Sequence, residues 1–159
     1  MKKGLTIAHN GWVVVGDGRT ALLLSNQGDE VYPNLQVQQV LEAPPNPPTH
    51  EQGTDQPPRA VFGGRRSAIA QTDWHELAEQ RFAGDVAEAL EKVHRTTPIK
   101  ALIVVAPPRT LSNFRQAFSD NLKRSIVAEV DKDLTKHPLS EIERLLTRRD
   151  NRGKGANGR

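Results

Sequence analysis

Residues 99–108 read IKALIVVAPP, and the six residues Ala101–Ala106 are apolar without interruption until two prolines stop the run. A strand sends alternate side chains to opposite faces, so a run with no polar alternation is stable only where both faces are covered. This segment therefore predicts a strand at the centre of a sheet, with other layers above and below it. The chain is read as α/β, and the remaining segments must supply neighbours and cover.

The neighbours are visible upstream. GWVVVGDGRTALLLSN holds two apolar runs, Trp12–Val15 and Ala21–Leu24, separated by Gly16, Asp17, Gly18 and Arg19. Asp-Gly tolerates the positive φ of tight turns, which predicts a hairpin. A third run, Leu35, Val37 and Val40–Leu41, follows a second turn at Asn26–Asp29 and completes an antiparallel three-stranded meander. The cover lies downstream. Leu77, Phe82, Val86, Leu90 and Val93 recur at helical spacing, with Thr72 or Asp73 as the expected cap and Glu76 in capping-box position. A second helix is predicted through Leu111, Phe114 and Phe118. Then come a short helix, a strand near Ile126–Val130 and a last helix started by Ser140 with Glu143 three residues on. At 159 residues the chain supports one core, so residues 1–147 are taken as a single domain with a mixed sheet.

Two segments fall outside this pattern. Residues 44–66 form a long Pro/Gly-rich loop, since six of the 11 prolines lie between Ala43 and Phe62. Residues 148–159, RRDNRGKGANGR, have no apolar anchor and are expected to be a disordered basic tail. That tail carries +4 of a total net charge of +3, so the body before it sums to −1 and is not a basic surface by count. Any grip on polyanions must come from local clusters or from the tail. With no cysteine, no signal peptide at Met1–Ile7 and no membrane-length apolar run, a cytoplasmic location away from membranes is expected.

Few residues offer catalytic chemistry. His9, His50, His75, His94 and His137 have no metal-ligand spacing, and GDGRT lacks the lysine of a phosphate-binding loop. Asp17, Asp131 and Asp133 are a weak candidate for a magnesium-binding carboxylate cluster. No catalytic residue, metal or cofactor is assigned. The segment from Gly53 to Arg66 has two readings. It is either a solvated surface loop or an arm in which Gly63 and Gly64 allow close backbone approach while Arg59, Arg65 and Arg66 meet phosphate. Arg109, in APPRT at the end of the buried strand, follows the same logic.

Five separated stretches carry a family likeness: WVVVGDGRTALLL, EQGTDQPPR, GGRRSAIAQTDWHELAEQRFAGDVAEAL, LIVVAPPRTL and IVAEVDKDLTKHPLSEIERLL. From about Trp12 to Leu146 they resemble the bacterial host-attachment protein family. That family is similar in turn to the central domain of archaeal and eukaryotic class-1 peptide release factors, which implies an RNase-H-like fold. In release factors a Gly-Gly-Gln loop enters the peptidyl-transferase centre. Gly63, Gly64, Ser67 and Ala68 look like that pattern, but Arg65 stands in the glutamine's place and Arg66 is extra. An arginine only donates hydrogen bonds and cannot accept one to position water. The resemblance thus implies a non-enzymatic, release-factor-like module that binds the ribosome or tRNA through Arg59, Gly63, Gly64, Arg65, Arg66 and Arg109. The alternative it leaves open is an interaction protein that supports attachment through a protein partner, without RNA.

Overall fold

The computed structural model describes residues 5–44 and 64–147, the latter with side chains from Trp74 onward. The expected apolar runs become strands β1 (Trp12–Gly16), β2 (Thr20–Asn26), β3 (Leu35–Glu42), β4 (Leu102–Ala106) and β5 (Ile126–Asp131). The helices are α1 (Gly64–Thr96), α2 (Pro108–Ala117), α3 (Asp120–Ser125) and α4 (Leu139–Thr147). One mixed sheet runs in the order β3-β2-β1-β4-β5. The meander pairs β1–β2 and β2–β3 antiparallel, and β4 is parallel to both β1 and β5.

All five residues of β4 are buried, as their lack of alternation requires. Val14, Leu23, Leu102 and Val104 face one layer, where α1 contributes Phe82, Val86 and Leu90, α2 contributes Leu111 and Phe114, and α3 contributes Leu122. Val13, Val15, Ile103 and Val105 face the other, where Ile142 and Leu146 of α4 pack with Ile7 and Leu134. Each such side chain contributes about 1.5–3 kcal/mol on burial, and only while both layers are in place. The Leu5 N–H donates to the Leu146 carbonyl at 2.8 Å, fastening the N-terminal segment to α4.

Three local expectations need correction. The hairpin tip does not use a left-handed glycine, because no positive φ occurs at Gly18. Instead Asp17 Oδ1 accepts the N–H groups of Arg19 and Thr20, both at 2.8 Å, so a carboxylate shapes the turn. A Cβ at position 18 would lie 2.9 Å from Glu79 Oε2, so a larger residue there would push that flexible carboxylate aside. Helix α1 begins at Gly64 rather than at Thr72 or Asp73, so the capping box with Glu76 does not form its start. Ser140 likewise lies inside α4, and Glu143 accepts the Leu35 N–H of β3 at 3.1 Å instead of closing a cap.

Helix α1 is also longer than its platform. Its 33 residues span about 50 Å, whereas the longest strand, β3, has 8 residues and spans about 27 Å. Burial starts only at Phe82, while Leu77, expected on the sheet face, is 49% exposed and Trp74 is 41% exposed. The N-terminal half of the helix thus overhangs the sheet.

A buried polar knot closes the opposite end. Asn26 is fully buried, and its Nδ2 donates to the Ile7 carbonyl at 2.8 Å and reaches those of Ala8 and Asp29 at 3.2 and 3.3 Å. Its Oδ1 accepts the N–H groups of Gly28 and Asn34 at 2.9 and 2.8 Å. One side chain therefore replaces the sheet ladder where three segments meet. Asn26→Ala is expected to cost about 3 kcal/mol by denaturant unfolding, because several buried groups lose their partner; a loss below about 1 kcal/mol would refute this role. On α1, Leu90→Ala should cost about 3 kcal/mol and Leu77→Ala no more than about 0.5 kcal/mol. Equal costs would show that the overhang is not real.

Candidate functional site

The strand ends define where polar chemistry can sit, since the middle of the sheet is closed on both faces. At the C-terminal ends of β1, β4 and β5 the chain collects Asp17, the N-terminus of α2 and the segment Asp131–Thr135. Pro107 and Pro108 end β4 and open α2, with Pro108 in the first helical position where its missing N–H costs nothing. Arg109 is therefore fixed at the mouth of the helix, at a strand's C-terminal end as its position in APPRT suggests.

Its surroundings differ from those expected for a free phosphate ligand. Arg109 Nη2 lies 3.5 Å from Glu76 Oε2, and its Nε lies 3.4 Å from Glu79 Oε1. Two carboxylates of α1 thus share the guanidinium where that helix leaves the sheet. The pairs are loose and Arg109 is 60% exposed, so they contribute at most about 1 kcal/mol. That is weak enough for a polyanion to displace them.

Gly64, Arg65 and Arg66 occupy the first turn of α1, not a loop before it. That turn contains no acidic residue. It combines N–H groups without intrahelical partners, the positive end of the helix dipole and two arginines in sequence. Arg59 and Gly63 lie outside the described residues, as do the rest of the proline-rich segment and the basic tail.

The carboxylates considered for magnesium do not converge. Thr135 Oγ1 lies 3.1 Å from Asp17 Oδ2 and 2.8 Å from Asp133 Oδ1, so a threonine hydroxyl stands between two of the three aspartates. With one proton it donates to one of them at a time. Among the described residues, no group of three or more His, Asp or Glu side chains is placed to hold a metal ion. No described helix is long and apolar enough to cross a membrane.

Two contacts at this end escaped the sequence reading. Glu76 is expected to close a capping box and Glu79 to be a solvated position of an amphipathic helix, and only the meeting of α1 with α2 gives them a partner. Arg115 of α2 clasps Glu129 of β5, with Nη2 2.6 Å and Nε 3.1 Å from Oε1. The hydrogen bond to Glu129, reinforced by its charge, raises the Arg115 pKa above its ordinary value.

Comparison with known proteins adds an independent line. Residues 12–146 match the family described as "Protein required for attachment to host cells". An uncharacterised protein of Rickettsia prowazekii (strain Madrid E) is 32% identical over 77 residues, which is 47% of this chain and 51% of that relative. The match spans about half the length of that curated relative. The family model covers the chain from the first residue of β1 into α4, and the chain belongs to the family of proteins required for attachment to host cells.

Proposed function

We propose that this host-attachment protein is a non-enzymatic, release-factor-like module with an RNase-H-like sheet, and that it engages the ribosome or tRNA through the Gly63–Arg66 segment. The observation that carries the reading is the start of α1 at Gly64 on a helix that overhangs the sheet. A helix N-terminus already favours anions, and adjacent arginines in place of acids strengthen that preference. Arg65 stands where release factors have glutamine, so the chain retains groups that donate to phosphate and lacks the acceptor that would orient water. Arg59, Arg109 and the basic tail act as supporting cations in this reading, Arg109 by exchanging Glu76 and Glu79 for phosphate. The RNase-H-like placement is supported by an antiparallel start followed by two parallel pairings. The proposal places the protein in the cytoplasm.

A second reading, a protein partner in attachment without RNA, is supported by Trp74 and Leu77. These apolar residues are exposed three positions apart on the same overhang. Co-sedimentation of the full chain with ribosomes across a salt series separates the two. The RNA reading expects co-migration at low salt that fades as salt rises, and Arg65→Ala with Arg66→Ala should flatten the salt slope by about two. Absence from the ribosomal fraction at the lowest salt, or a slope unchanged by both substitutions, refutes it.

A further inference from the structure

The opposite end of the sheet holds a cleft of about 910 Å³, between the start of β1, the end of α1 and the bulged part of β3. That volume suits a small-molecule ligand. Its described lining includes Trp12, Gln27, Gln38, Lys92 and Lys100, and no aspartate or glutamate. In a chain of 22 basic and 19 acidic residues, a lining with two lysines and no carboxylate concentrates positive potential. The C-terminal end of α1 opposes this with roughly half a negative charge. Two lysines outweigh it.

The remaining lining is organised rather than incidental. Trp12 is half-buried, packed on the core while also lining the cleft. The pairing of β2 with β3 slips between Leu23 and Leu24, whose partners are Gln39 and Val37, so Gln38 is the extra residue of a β-bulge. A bulge re-aims a side chain. Here Gln38 Nε2 donates to Ser25 Oγ at 2.9 Å, and Gln27 Nε2 donates to the same buried oxygen at 2.8 Å. Two carboxamides are thereby held on one anchor. Carboxamides offer a donor and an acceptor in one plane, the pattern that reads a base edge, while an indole offers a stacking surface.

We propose that this cleft binds a nucleotide, with the base against Trp12 and the Gln27–Gln38 pair and the phosphate at Lys92 and Lys100. The chemistry is shared by a free mononucleotide and by the phosphorylated end of an RNA chain. The site lies at the other end of the sheet from the α1 N-terminus, so its test is separate from that of ribosome binding.

The experiment uses the full chain carrying Trp74→Phe, which leaves Trp12 as the sole indole. Its fluorescence and the heat of binding are followed on titration with AMP, adenosine, inorganic phosphate and a 5′-phosphorylated oligoribonucleotide. Saturable binding of AMP or of the oligonucleotide below about 1 mM is expected, with adenosine and phosphate at least about tenfold weaker. Tighter AMP than oligonucleotide identifies the free nucleotide as the source, and the reverse identifies an RNA end. Lys92→Glu with Lys100→Glu should weaken binding about tenfold or more, and Gln38→Ala should weaken AMP without altering the response to phosphate. Both lysines are exposed, so circular dichroism should confirm an unchanged fold. No response to AMP or oligonucleotide up to about 1 mM overturns the proposal. It is equally overturned if phosphate matches AMP or if the lysine variants bind as well as the parent.

Discussion

Burial of β1 and β4 on both faces is the constraint from which the rest follows. Val13, Val14 and Val15 of β1 and Leu102–Ala106 of β4 have no solvent-facing side. Their alternation sends neighbouring residues into different cores, one under α1, α2 and α3 and the other under α4 with the N-terminal segment. Neither core is complete without the sheet, and the sheet is unstable without both. Polar chemistry is consequently expelled from the middle of the molecule to the two ends of the strands.

The same constraint explains why α1 is two things along one axis. From Phe82 onward it is a core element, with Ala83, Ala87 and Ala89 letting the backbone approach the sheet beside Phe82, Val86 and Leu90. Before Phe82 there is no strand left to cover, and the helix continues because extending an existing helix is far cheaper than starting one. Glu76 and Glu79 meet Arg109 at the transition, where the turn at Gly18 also touches Glu79. A helix that leaves its platform here carries its first turn away from the acidic residues nearest the strand ends.

Much of this was legible in the sequence, and the failures share a cause. The hairpin, the buried strand and β5 announce themselves as apolar runs, and α2 as Leu111 and Phe114 at helical spacing. The start of α1 was not legible, because Gly63–Gly64 reads as a loop tip and Thr72 and Asp73 read as caps. Leu77 fits the helical period, but periodicity carries no information about where the sheet ends. Asn26 looks like an ordinary turn residue in SNQGDE, although its side chain is enclosed by residues 18 and 19 positions away as well as by near neighbours. The pairing of Arg109 joins positions about thirty residues apart. In each case the missing information is which surfaces meet, and composition and spacing do not encode it directly.

The ionic contacts at the two ends of the sheet differ accordingly. At the C-terminal ends of the parallel strands, Arg109 is shared by Glu76 and Glu79, while Asp17 and Asp133 flank the Thr135 hydroxyl. At the other end the described cleft residues include Lys92 and Lys100 without an acid. In the two proposals above, anions meet the cleft lysines at one end and the first turn of α1 at the other. The body before the basic tail carries a net charge of only −1, so attraction of anions by the proposed sites rests on local clusters rather than on overall basicity. Placing one carboxylate in the cleft would leave the core unchanged, yet it would offset one of the two lysines on which the proposed phosphate site depends.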